Sequence, residues 1–446
     1  MPMATKWSTA TTWCRCSQGS AVIETKAVVL EVIGERARSA SRALAKVPTH
    51  IKDRALALVA DGLFESADRI VEANERDCGA ARDAGVSEAI LDRLLLDAER
   101  IEGMAQGVRG IAALPDPVGQ TSEGRVLSNG LRIAKRRVPL GVIGTIYESR
   151  PDVTIDIAAL CLKSGNAVIL RGGKEAFDSN SVLASLVRDK IEEAGVPRDA
   201  VQFVESTDRA LVGQMLGMKE HIDLMIPRGG AALVRRVAAE ATMPAITGGI
   251  GVCHTYIDRS ADIEMAVAIA NNAKVSRPYV CNALDTLLVD STVAPAFLPK
   301  VAAKLAESGV ELHCDARALS ILGPASGAVA VPSTDDDWGM EFLSLTAAVK
   351  IVDSLDEALA HIEKYTSGHT EAIVTEDYTA ASRFQDEVDA SVVMVNASTR
   401  FNDGGQFGMG AEVGISTDKF HARGPLGLNE LTSYKWTVQG SGQVRE

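Results

Sequence analysis

The chain has 446 residues, which at roughly 150 residues per domain leaves room for two or three domains and a large buried core. Apolar types make up 46% and charged types 24%, a balance that argues against a disordered chain, and 4% aromatics beside 38 glycines suit alternating strands and helices better than an aromatic-rich sandwich. With 46 basic against 59 acidic residues the net charge is −13, which argues against nucleic acid as a partner.

Residues 1–20 carry Lys6 and Arg15 but no continuous apolar stretch, so a secretory signal is not expected. Trp7, Trp13, Cys14 and Cys16 are out of keeping with the remainder of the chain, and residues 1–22 read as a disordered or non-native extension. Helical spacing of apolar residues runs from Ala27 to Val47 and from Thr49, placed as an N-cap, to about Asn74; a third helix spans Asp97 to Ala113 and stops before Pro115 and Pro117. Two strand-like runs flank Asn129-Gly130, the signature of a tight turn, so a protruding hairpin is expected near 125–137.

Buried strands then alternate with helices: strands at 141–147, 167–170, 201–204 and 222–226, with helices at 152–163 and 179–194. A second series has strands at 286–289, 349–352, 372–375 and 392–396 and helices near 261–274, 294–306, 355–364 and 378–387. Continuous Val, Ile and Leu runs joined by helices indicate parallel sheets covered on both faces. This pattern gives two doubly wound α/β domains, joined near Gly248-Gly249-Ile250-Gly251. No apolar run approaches the ~18 residues needed to cross a bilayer, so a soluble protein without membrane partners is expected.

Seven cysteines, an odd number and scattered, form no disulfide framework and suit a reducing cytoplasm. Cys281 sits in Arg277-Pro278-Tyr279-Val280-Cys281-Asn282, between a helix and a buried strand, where Lys274 and Arg277 would favour the reactive thiolate; the alternative is a small buried hydrophobe. That alternative is preferred for Cys161 and Cys253. Arg171-Gly172-Gly173-Lys174 and Arg228-Gly229-Gly230 each follow a strand and precede a helix, where open α/β sheets bind ligands; two glycines admit a phosphate and the cations attract it. Either turn by itself could equally be an ordinary strand-to-helix connection. His254, His313, His361, His369 and His421 lack zinc-site spacing, so no metal is expected. The glycines between Asn396 and Gly414 indicate a loop that crosses the surface or wraps a site.

Longer segments carry a resemblance: Val138 to Gly144 with Tyr147-Glu148-Ser149-Arg150-Pro151, Lys163 to Lys174, Ile226 to Gly230, Ile246 to His254, Arg277 to Asn282, Val395 to Phe401, His421 to Pro425 and Thr432 to Trp436. Together they resemble the gamma-glutamyl phosphate reductases, also called glutamate-5-semialdehyde dehydrogenases, of the aldehyde dehydrogenase superfamily, over residues 23–436. The resemblance implies an NADP-binding domain at 23–252 with an oligomerisation hairpin at about 120–138, a catalytic domain at 253–395, and a segment at 396–446 that returns to the cofactor domain and packs toward the hairpin of a neighbouring subunit. It implies Cys281 as nucleophile, with Asn282 beside it in the catalytic motif. NADP would be held by Arg171, Gly172, Gly173, Lys174, Arg228, Gly229, Gly230, Gly248 and Gly249, the cationic turn suiting its 2′-phosphate. Arg150, Arg277, Asn396 and Ser398 would meet the substrate.

The activity implied is NADPH-dependent reduction of L-glutamyl 5-phosphate through a cysteine thioester, the second step of proline biosynthesis, by a homo-oligomer (dimer or tetramer) with a functional link to glutamate 5-kinase. Hydrolytic relatives carry a Glu-Leu-Gly-Gly run whose glutamate activates water; Ile246-Thr247-Gly248-Gly249 has no carboxylate, which favours reduction of an acyl phosphate. No asparagine stands among Tyr147 to Pro151 to serve as the superfamily's second oxyanion donor, which leaves that donor open. Two other readings stand beside this one: a CoA-acylating aldehyde dehydrogenase, and a binding protein that kept the fold without catalysis.

Overall fold

In the computed structural model the described residues are 18–248, 250–323 and 329–445. Five helices come first: α1 (Gln18–Leu44), α2 (Thr49–Glu65), α3 (Ala67–Asp83), α4 (Glu88–Leu94) and α5 (Ala98–Ala113). Of the extension expected at 1–22, residues 18–22 belong to α1; the remainder, with Cys14 and Cys16, lies outside the described residues. The helix expected from Thr49 breaks at Ser66. Thr49 does not cap it: Pro48 takes that position, and the Thr49 hydroxyl bonds Asp116 instead.

Strands β1 (Thr121–Val126) and β2 (Arg132–Pro139) form the hairpin, with Gly130 at φ +84° supplying the left-handed turn residue. The first parallel layer comes next: β3 (Val142–Tyr147), α6 (Asp152–Lys163), β4 (Ala167–Gly172), α7 (Phe177–Glu193), β5 (Val201–Phe203), α8 (Ala210–Leu216), β6 (Leu224–Arg228) and α9 (Ala231–Glu240), in strand order β5-β4-β3-β6. Its strands are buried on both faces, which is why they read as unbroken apolar runs. One face packs on α2, α5, α6 and α7; the other is covered by α1 and α8.

The second layer comprises β7 (His254–Ile257), α10 (Ile263–Val275), β8 (Thr286–Asp290), α11 (Ala294–Ala306), β9 (Glu311–Cys314), α12 (Ala316–Leu322), β10 (Val329–Pro332), β11 (Thr346–Val352), α13 (Leu355–Tyr365), β12 (Thr370–Val374), α14 (Tyr378–Glu387) and β13 (Val392–Val395). These strands pair in parallel in the order β10-β9-β11-β8-β7-β12-β13.

The chain then returns to the first layer, where Val413, Leu426, Leu428 and Leu431 join its core. After the short pair β14 (Ile415–Ser416) and β15 (Gly424–Pro425), β16 (Thr432–Gln439) runs antiparallel to β2. The terminal strand thus completes a three-stranded sheet with the hairpin of its own chain, eight consecutive residues registering against β2. No helix among the described residues is long and apolar enough to cross a membrane.

Candidate active site

Cys281 occupies a corner of the turn Val280–Ala283, closed by the Ala283 N–H on the Val280 carbonyl, between α10 and β8. Its side chain is half-buried. Its N–H has no hydrogen-bond partner among the described residues, which leaves a donor free beside the sulfur. The turn is braced from behind. A Cβ on Gly251 would overlap the Cys281 carbonyl and stand 2.9 Å from its Cα, so the linker backbone is pressed directly onto the turn. The Cys253 thiol donates to the Cys281 carbonyl at 3.2 Å. Asn282 is buried and directs its amide away from solvent: Nδ2 donates to the Asn402 carbonyl (2.9 Å), Oδ1 accepts from Arg400, and its own carbonyl accepts from the Thr399 hydroxyl (2.7 Å). Asn282 therefore positions the turn by clamping it to residues 399–402.

The charges acting on the sulfur come from elsewhere in the fold. Burial pushes the Cys281 thiol up to about 11; Arg228 and Arg150 pull it down, while Glu412 and Glu341 add to the rise. This corrects the expectation that Lys274 and Arg277 favour the thiolate. Lys274 is buried, donates to the Leu284 carbonyl at 2.7 Å and pairs with Asp285 at 3.9 Å, whereas Arg277 is exposed. Arg228 ends β6 and Arg150 follows β3, so the carboxyl end of the first sheet faces the turn that precedes β8 of the second. Neither guanidinium makes an ion pair or side-chain hydrogen bond among the described residues. Asp156 on α6 also lies in their field, its carboxyl raised to about 7 by burial and by Asp152.

The other predicted residues divide between the two ends of this cleft. Arg171 is buried and braces the Thr207 and Asp208 carbonyls at 3.4 and 3.5 Å, so its guanidinium supports the loop before α8. Lys174 is exposed and has no partner among the described residues. Gly172 and Gly173 leave no room for a side chain, because a Cβ would overlap Asn180 at one and Glu175 at the other. Glu175 folds back to accept from the Ser149 N–H (2.7 Å) and hydroxyl (3.0 Å), holding Ser149 at φ 49°. Gly229 packs on the Glu148 carboxylate, which also accepts from the Gly230 N–H at 3.1 Å, whereas a Cβ on Gly230 would meet open space.

Gly248 packs on the backbone of Ser416 and Thr417, and Gly249 lies outside the described residues. Asn396, at φ 54°, exchanges both side-chain hydrogen bonds with the Thr375 backbone at 2.9 Å, and the Ser398 hydroxyl accepts from the Arg400 N–H. Both therefore shape the 396–402 loop through contacts within the protein. No group of His, Cys, Asp and Glu suited to a metal occurs among the described residues.

A family model described as the aldehyde dehydrogenase family matches residues 8–326. A gamma-glutamyl phosphate reductase of Dehalococcoides mccartyi is 58% identical over 409 residues, covering 92% of this chain and 96% of that protein. The crystal structure of gamma-glutamyl phosphate reductase from Thermotoga maritima superposes with a TM-score of 0.90 at 46% identity, covering 94% of this chain and all of that one. The chain belongs to the gamma-glutamyl phosphate reductase branch of the aldehyde dehydrogenase family. An acetylating aldehyde dehydrogenase of Geobacillus thermoglucosidasius, 19% identical with a TM-score of 0.69, shares the fold.

Within this reductase family site, sequence reasoning missed several residues. Arg400 and Gly251 lie inside segments already singled out, and a glycine one residue beyond the paired glycines was a usable signal. Glu412 sits in the glycine-rich run read as a loop around a site. Glu341, which accepts from the Gly251 N–H at 2.9 Å, and Arg93, which donates to the Tyr279 carbonyl at 2.6 Å, carry no local signal. The run Ile246-Thr247-Gly248-Gly249 has no carboxylate, but Glu412 and Glu341, from other parts of the chain, both bear on the sulfur.

Proposed function

We propose that this nicotinamide-dependent enzyme reduces L-glutamyl 5-phosphate to L-glutamate 5-semialdehyde and phosphate, with NADPH as the reductant and Cys281 as the nucleophile. The observation that carries this reading is a half-buried cysteine on a turn corner whose N–H, like the two guanidinia acting on its sulfur, has no side-chain or ion-pair partner among the described residues.

Arg228 and Arg150 suit the phosphoryl group, since unpaired guanidinia present forked donors to phosphate oxygens. The Cys281 sulfur attacks C5 of the acyl phosphate, the bond from carbon to the phosphate oxygen breaks, and the thiol proton leaves on the departing phosphate. A thioester on Cys281 results. The oxyanion formed on the way accepts from the free Cys281 N–H, and Arg150 supplies the second stabilising charge, a role typically worth ~3 kcal/mol per donor. NADPH, when bound, supplies the hydride that converts the thioester to the aldehyde. That conversion breaks the C–S bond, releasing the aldehyde and leaving the sulfur as a thiolate that takes a proton from solvent before the next turnover.

The first layer fits that cofactor. Gly230 opens on empty space at the start of the ten-residue α9, and Lys174, after β4 on the far side of β3, offers an exposed cation unpaired among the described residues for a 2′-phosphate. Glu148 holds the Gly230 N–H as an exposed carboxylate stand-in and gives way to a phosphate there. Glu341, tied to Gly251, is positioned by the linker beside the Cys281 turn.

A homo-oligomer, dimer or tetramer, is supported by Tyr434, Trp436 and Val438, exposed by 54%, 46% and 57% on alternate positions of β16. A cytoplasmic location and a functional link to glutamate 5-kinase complete the reading. The test is NADP reduction with L-glutamate 5-semialdehyde in the reverse direction. Phosphate-dependent reduction, nearly abolished by Cys281→Ser with NADP binding intact, is expected; reduction that needs CoA instead of phosphate refutes the assignment.

A further inference from the structure

We propose that Glu412 is the specificity residue that recognises the α-ammonium group of the substrate, an inference that rests on the glutamyl phosphate reading above. Val413 is fully buried in the core of the first layer, and its N–H bonds the Leu426 carbonyl. At 414 the residue is glycine, and the Arg228 guanidinium lies across it, its Nη1 3.2 Å from where a Cβ would stand. Glu412 lies two positions back, within the electrostatic reach of Arg228 and Arg150.

The carboxylate is held but not neutralised. One oxygen, Oε2, accepts from the Gly404 N–H at 2.8 Å, and Gly404 has no side chain because a Cβ would stand 2.8 Å from the Glu412 Cβ. Glu412 makes no ion pair among the described residues although Arg228 and Arg150 act on it, so a gap separates the opposite charges. An anion beside a nucleophilic sulfur that must also receive a phosphorylated acyl group opposes both events. A cation on the substrate resolves that conflict. L-glutamyl 5-phosphate carries its ammonium at the end of the chain remote from the acyl phosphate, so one molecule places anionic oxygens on the arginines and a positive nitrogen on Glu412.

The experiment compares two aldehydes in phosphate-dependent NADP reduction: L-glutamate 5-semialdehyde and 5-oxopentanoate, the same chain without the amine. The intact enzyme should favour the amine-bearing aldehyde by about 10⁴-fold in kcat/KM, the scale on which a site built for a polar group rejects an analogue lacking it. Glu412→Gln should bring that ratio to within about threefold while the KM for phosphate stays within about threefold, a pattern that general damage to the fold would not produce. Glu412→Asp keeps the charge and should retain part of the discrimination; if Glu412→Gln does not fold, the ratio measured for Glu412→Asp decides. An unchanged ratio in a folded variant overturns the assignment, as does phosphate-independent formation of a free acid that disappears with Glu412→Gln, which would make Glu412 a water-activating base. Intact enzyme that reduces NADP with neither aldehyde and phosphate would refute the parent reading instead.

Discussion

Gly251 and Cys281, thirty residues apart in sequence, are in backbone contact: the Gly251 α-carbon lies against the Cys281 carbonyl with no space for a methyl group. The atoms it would strike are backbone, so no side chain can swing aside. Gly251→Ala should displace the turn and with it the sulfur. A misplacement on the order of 1 Å costs about 100-fold in rate, so steady-state assays should show kcat reduced by that factor in a protein that still folds by circular dichroism. Full activity in the alanine variant would mean that the turn is not held by the linker.

Burial favours the neutral thiol of Cys281 and holds it up to about 11, so the thiolate fraction keeps growing as pH rises through the neutral range. Alkylation of Cys281 by iodoacetamide should accelerate close to tenfold per pH unit between about pH 7 and 9, without a plateau below about pH 10. Arg228→Met removes the largest charge opposing that rise and should slow alkylation at each of these pH values. A plateau near pH 8 in the intact enzyme would contradict the burial argument.

Lys174 has no partner among the described residues, so replacing it should disturb little until cofactor arrives. Lys174→Glu should raise the KM for NADP by about tenfold or more and that for NAD by less than about threefold, because only NADP presents a 2′-phosphate to the new carboxylate. Equal effects on both cofactors would place the 2′-phosphate elsewhere.

Trp436 stands in the middle of the exposed β16 stripe, with Lys135 5.3 Å from its ring centroid. In an isologous interface Trp436→Glu buries the same charge twice, so sedimentation velocity should show the assembly reduced to monomers. An assembly that persists would assign the interface to another surface.

Residue order along the chain sufficed wherever the controlling physics is local. Unbroken Val and Ile runs mark strands buried on both faces, and β3, β4, β8, β11, β12 and β13 all lie where those runs predict. Asn129-Gly130 marks its turn for the same kind of reason, since a left-handed residue is required there. Short elements such as α4, α8, α12 and β9 went unread, because four to seven residues hold too few periods to be told from a loop.

The nucleophile we propose was picked out from the motif around Cys281. Its electrostatic setting was not. Lys274 is nearer in sequence than Arg228, yet Lys274 turns inward to Asp285 and Leu284, while Arg228, 53 positions away, faces the sulfur. Charge acts through space, and only the packing of the carboxyl end of one sheet against the opening turn of the other determines which charges the sulfur meets. The same holds for Glu412: its place in a glycine-rich run announces a loop, but only the folded chain brings its carboxylate onto the Gly404 N–H and within reach of the sulfur.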